Sequence, residues 1–391
     1  MKGKLLHFTT EFGADALGGI ETFMREMASA AAEHVGFIRI GSSSAMAEEE
    51  PVGGKPIIHA GYYEMDKLNS LMFDVAVFHF YGLAYLADPS FLKGRKLIFA
   101  VHSVPTTEPW SLPDPYGGNG AIARSFEKLC DAADRIVCVS EAERGKLLLI
   151  YPDLARKTAV IPNGMSGMPW RMPARIRPGR QAFGFLGRSD YRKGLRELIR
   201  EMDALQGTLA IACGGGDAAY QQAAMQDAKR YGSNIRWVGP VAGIERKTRF
   251  LASLDALIVP SRWEPFGYVA LEALRAGIPP VISVCGGMPE IAGMSYRYRF
   301  DPHKPGDLAD CITRFQQDPE ETVRRELAAA RERAAAFTAE KMAAAYERLA
   351  EEVLSECGAE TTAPGRRYGG NAAQGMPLMV GGASVTPRPA E

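Results

Sequence analysis

The chain has 391 residues, enough for two domains of ordinary size. Hydrophobic residues make up 46% and charged residues 24%, a balance that supports a buried core and excludes a disordered polypeptide or a disulfide-stapled miniprotein. Lys plus Arg and Asp plus Glu number 46 each, so the formal net charge is zero and the basic excess of a nucleic-acid binder is missing.

No apolar run reaches the roughly 18 residues that a membrane span needs, so none is expected. The start, Met1-Lys2-Gly3-Lys4-Leu5-Leu6-His7-Phe8, turns polar too early for a secretory signal. The cysteines (Cys130, Cys138, Cys213, Cys285, Cys311, Cys357) are scattered, with no CxxC pair and no histidine at zinc spacing. Four of them sit in apolar or small-residue surroundings and are expected to be buried free thiols. The expected compartment is a reducing cytoplasm.

Taken in chain order, short apolar runs alternate with amphipathic stretches, the pattern of an α/β chain with parallel strands. Strands are expected over residues 4–10, 37–40, 75–80, 97–102, 135–139 and 158–161. Helices are expected over 20–32, 84–93, 122–132 and 141–149. Ser140 and Glu143 fit a capping box for the last of these, a structural role. Residues 162–178 hold Pro162, Pro169, Pro173 and Pro178 without apolar period and read as a linker. The pattern then restarts, with strands over 182–186, 208–213, 235–238, 256–259 and 281–284 and a helix over 194–203. Residues 320–354 read as one long helix or two, with a break at Phe337 and Thr338. The Gly-, Pro-, Ala- and Thr-rich segment 358–391 has no periodicity and is expected to be disordered. Two such series imply two Rossmann-like domains facing a central cleft, with the chemistry on loops at the carboxyl ends of the strands.

The densest signal runs from Pro260 to Pro280. Strand 256–259 leads into a loop carrying Glu264, and a helix starts near Phe266 and ends before Gly277. Glu264 then lies beside a helix N-terminus with free backbone N–H groups, and Glu272 one to two turns further in. The alternative on spacing alone is that Glu264 caps the helix and Glu272 is solvated. In Phe185-Leu186-Gly187-Arg188-Ser189-Asp190-Tyr191-Arg192-Lys193-Gly194 the strand is expected to end at Leu186, with a tight turn at Gly187. Arg188 and Lys193 beside a helix start make a site for a diphosphate, Arg as a fork and Lys as a point charge; a surface cluster paired with Asp190 and Glu197 is the alternative. Gly18-Gly19 opens the first helix and lets backbone approach a phosphate, and Gly286-Gly287-Met288-Pro289-Glu290 looks similar. His102 ends its strand in the cleft, where it could donate to a sugar hydroxyl or a developing charge. His79, inside an apolar run, is expected to be a core histidine. Gly214-Gly215-Gly216-Asp217-Ala218-Ala219 lacks the acidic residue a dinucleotide site needs. No DxD pair occurs, so no metal is expected.

Together these segments resemble the retaining GT-B glycosyltransferases of the large E-x7-E family, the family 4-like or group 1 glycosyl transferases. The resemblance rests on the Gly18-Gly19 loop, Val139-Ser140-Glu141, Val160-Ile161-Pro162-Asn163-Gly164, the 187–194 loop, Glu264 with Glu272 as E-x7-E, and the GGxPE turn at 286–290. It covers residues 1–350 and is strongest over 180–295. It implies an acceptor-binding Rossmann-like domain over 1–165, a donor-binding one over 166–340, and a helix over 341–356 crossing back, with 357–391 a disordered tail. It implies that Arg188 and Lys193 hold the diphosphate, that Glu264 and the N–H groups of Phe266, Gly267 and Tyr268 hold the sugar, and that Glu272 binds the ribose. His102 would lie under the sugar and Gly18-Gly19 would close from the other domain. The implied donor is a nucleotide-sugar, usually a UDP-sugar, with a hydroxyl acceptor, no cofactor and no metal. His102-Ser103 departs from the family's frequent His-Asp.

The acceptor side, residues 105–120 and 62–71, matches no motif, though Trp110, Tyr116, Tyr62 and Tyr63 could stack on a sugar or merely cover the sheet. Other readings remain: a nucleotide-sugar epimerase of the same fold, or a degenerate nucleotide-binding homologue. A glycosidase would need two carboxylates flanking one bond, and an NAD oxidoreductase a glycine fingerprint that Gly13, Gly18 and Gly19 do not make. Helices 20–32 and 122–132 are not markedly basic; a soluble enzyme is expected, with peripheral membrane contact left open.

Overall fold

The computed structural model describes residues 3–11, 18–41, 51–105, 120–166, 181–202, 205–231 and 234–356. The apolar runs become strands of two sheets. In the first, β1 (Leu5–Thr9), β2 (Val35–Gly41), β3 (Ile57–Gly61), β4 (Val75–Phe78), β5 (Lys96–Val101), β6 (Arg135–Cys138) and β7 (Thr158–Val160) lie in the order β3-β2-β1-β4-β5-β6-β7. In the second, β8 (Ala182–Ser189), β9 (Thr208–Gly216), β10 (Ile235–Trp237), β11 (Ala256–Val259), β12 (Pro280–Ser283) and β13 (Arg299–Phe300) follow β10-β9-β8-β11-β12-β13. Neighbouring strands pair in parallel throughout. Parallel strands are covered on both faces, which is why β4, β11 and β12 are buried from end to end.

The covering helices are α1 (Gly19–Ala30), α2 (Met65–Asn69), α3 (Gly120–Ala132), α4 (Glu141–Ile150), α5 (Leu195–Glu201), α6 (Ala218–Tyr231), α7 (Ile244–Ala252), α8 (Tyr268–Ala276), α9 (Met288–Ala292), α10 (Asp307–Gln317), α11 (Glu320–Ala334) and α12 (Ala339–Ser355). Alternation along β1 sends Leu5 and Leu6 into different cores. Leu6 joins Phe8, Phe78, Phe99 and Phe126 on one face. Leu5 joins Phe37, Val77 and Ile98 in a core that continues through Met165, Phe266 and Met342 into the second sheet. Helix α12 packs against α1 and β5. Strand order reverses between β1 and β4, and again between β8 and β11, so each sheet opens a crevice at those carboxyl ends.

Several expectations need correction. The helix expected over 84–93 is a 3₁₀ turn, Tyr81–Leu86. Pro89 cannot continue a helix, and the Asp88 carboxylate accepts from Ser90 N–H (2.8 Å) and Oγ–H (2.6 Å), closing a local turn. Strand β8 does not stop at Leu186. It continues to Ser189 with a register shift between Gly187 and Ser189, so Arg188 sits on a bulge rather than after a tight turn. Strands β3 and β13 were not foreseen; β3 follows Pro56 at a half-exposed edge and β13 is two residues long. The break near Phe337 is real: Thr338 Oγ1 accepts from Lys341 N–H at 3.2 Å, opening α12. Cys130, Cys138, Cys213 and Cys311 are buried free thiols. The 358–391 segment, Cys357 and most of the expected linker lie outside the described residues.

The start of that linker is pinned against the α11–α12 junction. Met165 N–H donates to Phe337 O (3.1 Å), and Tyr268 Oη–H donates to Gly164 O (3.3 Å). A Cβ on Gly164 would stand 2.0 Å from Thr338 O. Gly164→Ala must push two backbones apart and is expected to cost about 1–3 kcal/mol, the range for overpacking. Urea unfolding checks this; an unchanged midpoint would mean the junction yields freely.

Candidate functional site

At the second sheet's switch point the loop after β8 meets the loop after β11. Arg262 N–H donates to Arg192 O at 2.8 Å, joining the two loops through backbone. Lys193 Nζ then reaches Glu264 Oε2 at 2.6 Å, and Ser261 Oγ–H donates to the same oxygen at 3.2 Å. Burial alone would raise the Glu264 carboxyl. The charge and hydrogen bond of Lys193, the charge of Arg192 and the Ser261 hydroxyl outweigh it, holding the group below its ordinary range. Arg188 and Arg192 lie 3.6 and 3.7 Å from the two oxygens of Asp190.

Glu264 does not cap α8. The residue before that helix is Gly267, which makes no side-chain cap; its carbonyl takes the N–H groups of Ala270 (3.0 Å) and Leu271 (3.1 Å), so the N–H groups left over at this end are those of Tyr268 and Val269. Nor is Glu272 solvated. It is 3% exposed, and its Oε1 takes Lys247 Nζ at 2.6 Å. The Glu272 charge raises Lys247 above the ordinary lysine range against the opposing effect of burial. The other oxygen, Oε2, is buried without a hydrogen-bond partner among the described residues. The alternative reading of both glutamates is thereby overturned.

The first sheet supplies the facing wall. Gly18 precedes α1 with φ −179°, ordinary extended backbone. A Cβ on Gly19 would meet nothing within 4 Å, and one on Gly18 only Glu11 Oε2 at 3.4 Å. Neither backbone strain nor packing among the described residues demands these glycines, which leaves an open backbone surface. Burial raises the Glu11 carboxyl and the charges of Arg188 and Arg192 pull it back, so Glu11 and the adjoining glycines face the cationic loop. His102 is half-buried at the end of β5, and its Nε2 lies 2.9 Å from His79 Nδ1. His79, 1% exposed, is a core histidine.

The two halves are joined by contacts that motif spacing did not reveal. Ser140 Oγ accepts from Glu143 N–H (3.0 Å), as a cap should, and donates to Pro265 O (2.6 Å) across the cleft. The Glu143 carboxylate does not complete a capping box. It accepts from Val104 N–H at 2.6 Å and from Trp263 Nε1–H at 2.8 Å. Lys146 Nζ sits 4.7 Å from the Trp263 ring centroid. Glu290 of α9 accepts from Glu141 N–H (3.1 Å) and Ala142 N–H (2.8 Å), so a carboxylate of one half serves a helix N-terminus of the other. The turn at Gly286-Gly287 differs from the open Gly18-Gly19 backbone in being packed. Gly286 has φ +87°, and a Cβ there would lie 2.0 Å from Glu264 O; the turn backs the Glu264 loop.

Thus Lys193 and Glu264 meet directly, and Arg188 shares Asp190 with Arg192. Phe266, Gly267 and Tyr268 lead into α8, and Glu272 pairs elsewhere. Sequence reasoning missed Glu11, Lys247 and Trp263, and misassigned Glu143; it picked out Glu290 as part of the GGxPE turn without its bonds to α4, and adjacency to Glu264 was the available signal for Trp263. In the 62–71 segment, expected from the sequence to face an acceptor, Tyr63 is exposed, and the Tyr62 and Tyr85 rings lie 6.4 Å apart. Trp110 and Tyr116 lie outside the described residues. Among the described residues no helix is long and apolar enough to cross a membrane.

Two family profiles match the sequence: glycosyltransferase family 4 over residues 17–166 and glycosyl transferases group 1 over residues 170–333. The chain is 25% identical over 258 residues to the alpha-maltose-1-phosphate synthase of Mycolicibacterium smegmatis, covering 59% of this chain and 66% of that one. It is 31% identical over 225 residues to the glycogen synthase of Mycobacterium tuberculosis, covering 54% and 53%. It therefore spans about half to two thirds of the length of these relatives. Among solved structures, the sucrose-phosphate synthase from Thermosynechococcus elongatus superposes with TM-score 0.74 at 20% identity, covering 90% of this chain and 99% of that one. Anabaena HepE in complex with UDP and glucose gives 0.71 at 18% identity, covering 90% and 100%.

Trp263→Phe tests the joint between the halves. It keeps a ring for Lys146 and removes one donor to the buried Glu143 carboxylate. The expected loss is about 1.5–3 kcal/mol, as for a hydrogen bond to a charged group, read by urea unfolding. A variant as stable as the parent would show that this bond contributes nothing.

Proposed function

The chain belongs to the GT-B glycosyltransferases of family 4 and group 1, and on that premise we propose that it moves a sugar from a nucleotide-sugar, a UDP-sugar, to an acceptor hydroxyl with retention of anomeric configuration. The observation that carries the reading is the Lys193–Glu264 pair at the mouth of α8. A diphosphate offers Lys193 a stronger partner than one carboxylate, and Arg188 adds a fork for it. Glu264, released from Lys193, can then accept from sugar hydroxyls. The same two cations would hold the charge that builds on the departing diphosphate, so the reaction as proposed draws on no metal and no cofactor.

The other assignments follow from this placement. The unpartnered Oε2 of Glu272 suits a ribose hydroxyl. The N–H groups at Phe266, Gly267 and Tyr268, where the loop enters α8, suit the sugar's oxygens. Gly18 and Gly19 allow close approach from the opposite wall, and His102 lies beneath the sugar. Residues 1–165 then hold the acceptor, 166–340 the donor, and 341–356 cross back. The choice of UDP draws support from HepE, whose structures carry UDP with glucose and UDP-glucose. Zero net charge and a first helix holding Glu21 and Glu26 beside Arg25 fit work in the cytoplasm rather than lasting attachment to an anionic membrane. The acceptor's hydroxyl belongs to a polysaccharide, glycolipid or small glycoside.

Calorimetric titration with UDP, GDP, ADP and NAD, in chelator, tests the site. One nucleoside diphosphate is expected to bind, and Arg188→Ala and Lys193→Ala each to weaken it by about 1.5–3 kcal/mol per charge-assisted hydrogen bond lost. Glu264→Ala is expected to retain UDP binding and abolish transfer. Binding of NAD alone, or UDP affinity untouched by both cation variants, overturns the assignment.

A further inference from the structure

Three histidines from separate strands form a chain at the first sheet's switch point. His7 lies on β1, His79 follows β4 and His102 follows β5. His7 Nδ1 is 2.8 Å from His79 Nε2, and His79 Nδ1 is 2.9 Å from His102 Nε2. Neighbouring ring centroids lie 5.0 and 5.2 Å apart. The inner end is enclosed by aromatic rings: Phe37 stacks on His7 at 5.4 Å, and Tyr346 meets it edge-on at 5.6 Å. His7 and His79 are almost completely buried, and His102 stands half-buried at the outer end.

Each nitrogen–nitrogen contact holds one proton, since two would collide and none would leave two lone pairs facing. A neutral imidazole carries one N–H, so in a neutral chain all three protons point the same way. Burial, aided by the charge of His102, pushes His7 down to about 3; burial, aided by His7 and His102, holds His79 well below the ordinary range. Burial alone takes His102 to about 3. At neutral pH the chain is therefore uncharged and has two possible polarities.

The closed end decides between them. His7 Nε2 is buried without a hydrogen-bond partner among the described residues, and so is the Tyr346 hydroxyl in the same aromatic cage. If the protons pointed inward, His7 would carry Nε2–H, and the cage would contain two protons with only the phenol oxygen to accept. If they point outward, Nε2 is a bare acceptor and the phenol O–H is the single donor left in the cage. Unpaired buried N–H groups are the rarer and costlier defect, so the outward polarity prevails.

We propose that His7 and His79 are positioning residues that hold His102 in its Nδ1–H form, making the outward nitrogen of His102 a fixed hydrogen-bond donor rather than a base. In the transferase reading, on which this role rests, that donor faces an oxygen of the sugar. His102 then takes no proton from the acceptor hydroxyl.

Ring-nitrogen NMR of the full chain labelled with ¹⁵N-histidine tests the tautomer directly. At pH 7, His102 is expected to show a protonated Nδ1 and a bare Nε2; the Nε2–H form, or a doubly protonated ring, overturns the proposal. His7→Phe keeps a ring in the cage and removes the terminal donor. It is expected to turn His102 into a mixture of tautomers and to lower kcat about tenfold while UDP affinity stays unchanged. His7→Asn, whose amide N–H can stand where Nδ1–H stood, should restore both. A His102 spectrum identical in parent and His7→Phe overturns the role of His7. The NMR reads the free protein, so failure of nucleotide binding counts against the transferase reading and not against the tautomer.

Discussion

The Glu143 carboxylate, wholly buried, accepts from the backbone two residues after His102 and from the indole one residue before Glu264. Neither loop can withdraw without breaking a hydrogen bond to this buried carboxylate, and bonds to charged groups contribute more than ordinary ones. The geometry of the cleft follows from that constraint. Ser140, at the start of the same helix, holds Pro265 on the far side of Glu264, so the loop is gripped on both flanks. Glu290 returns the contact from the other direction, and Gly286, with its left-handed backbone, lets the turn before it lie flat against Glu264 O. The proposed sugar-binding carboxylate is thus placed by residues that do not themselves bear the chemistry.

Much of this was legible in the sequence, for a physical reason. Inner parallel strands are buried on both faces and must be apolar throughout, so β1, β4, β5, β6, β8, β9, β11 and β12 stood out within a few residues of their ends. Edge strands are free of that demand, and β3 and β13 passed unnoticed. Arg188, Lys193 and Glu264 were visible because charged residues at the ends of apolar strands are conspicuous, and Glu272 because it lies one to two turns into the helix after Glu264. What they pair with was not, since Lys247 lies 25 positions from Glu272 and Lys193 lies 71 from Glu264.

Glu143 shows where local reading stops. A Ser-x-x-Glu spacing describes a capping box and a long-range clasp equally well. The serine does cap, while the glutamate turns towards Trp263, 120 positions away. The histidine chain is hidden in the same way. Its members are separated by 72 and 23 positions, and only the adjacency of β1, β4 and β5 in the sheet brings them together. His79 read as core and His102 as cleft, both from burial pattern alone, and neither reading contained the bond between them.

The charges of the cleft reveal how it could choose its ligand. Lys193 has Glu264, Lys247 has Glu272, and Arg188 and Arg192 share Asp190 and face Glu11. Each of these cations already has a carboxylate beside it, so a small monovalent anion gains little by entering; it would replace one carboxylate by another of equal charge. A diphosphate differs, because it brings more charge and several acceptor oxygens at fixed spacing, enough to engage Arg188 and Lys193 together. The carboxylates it displaces are not wasted, since Glu264 is left beside the position of whatever the diphosphate carries. In the proposed reaction it is exchange of partners, rather than neutralisation of free charge, that couples recognition of the leaving group to readiness for the sugar.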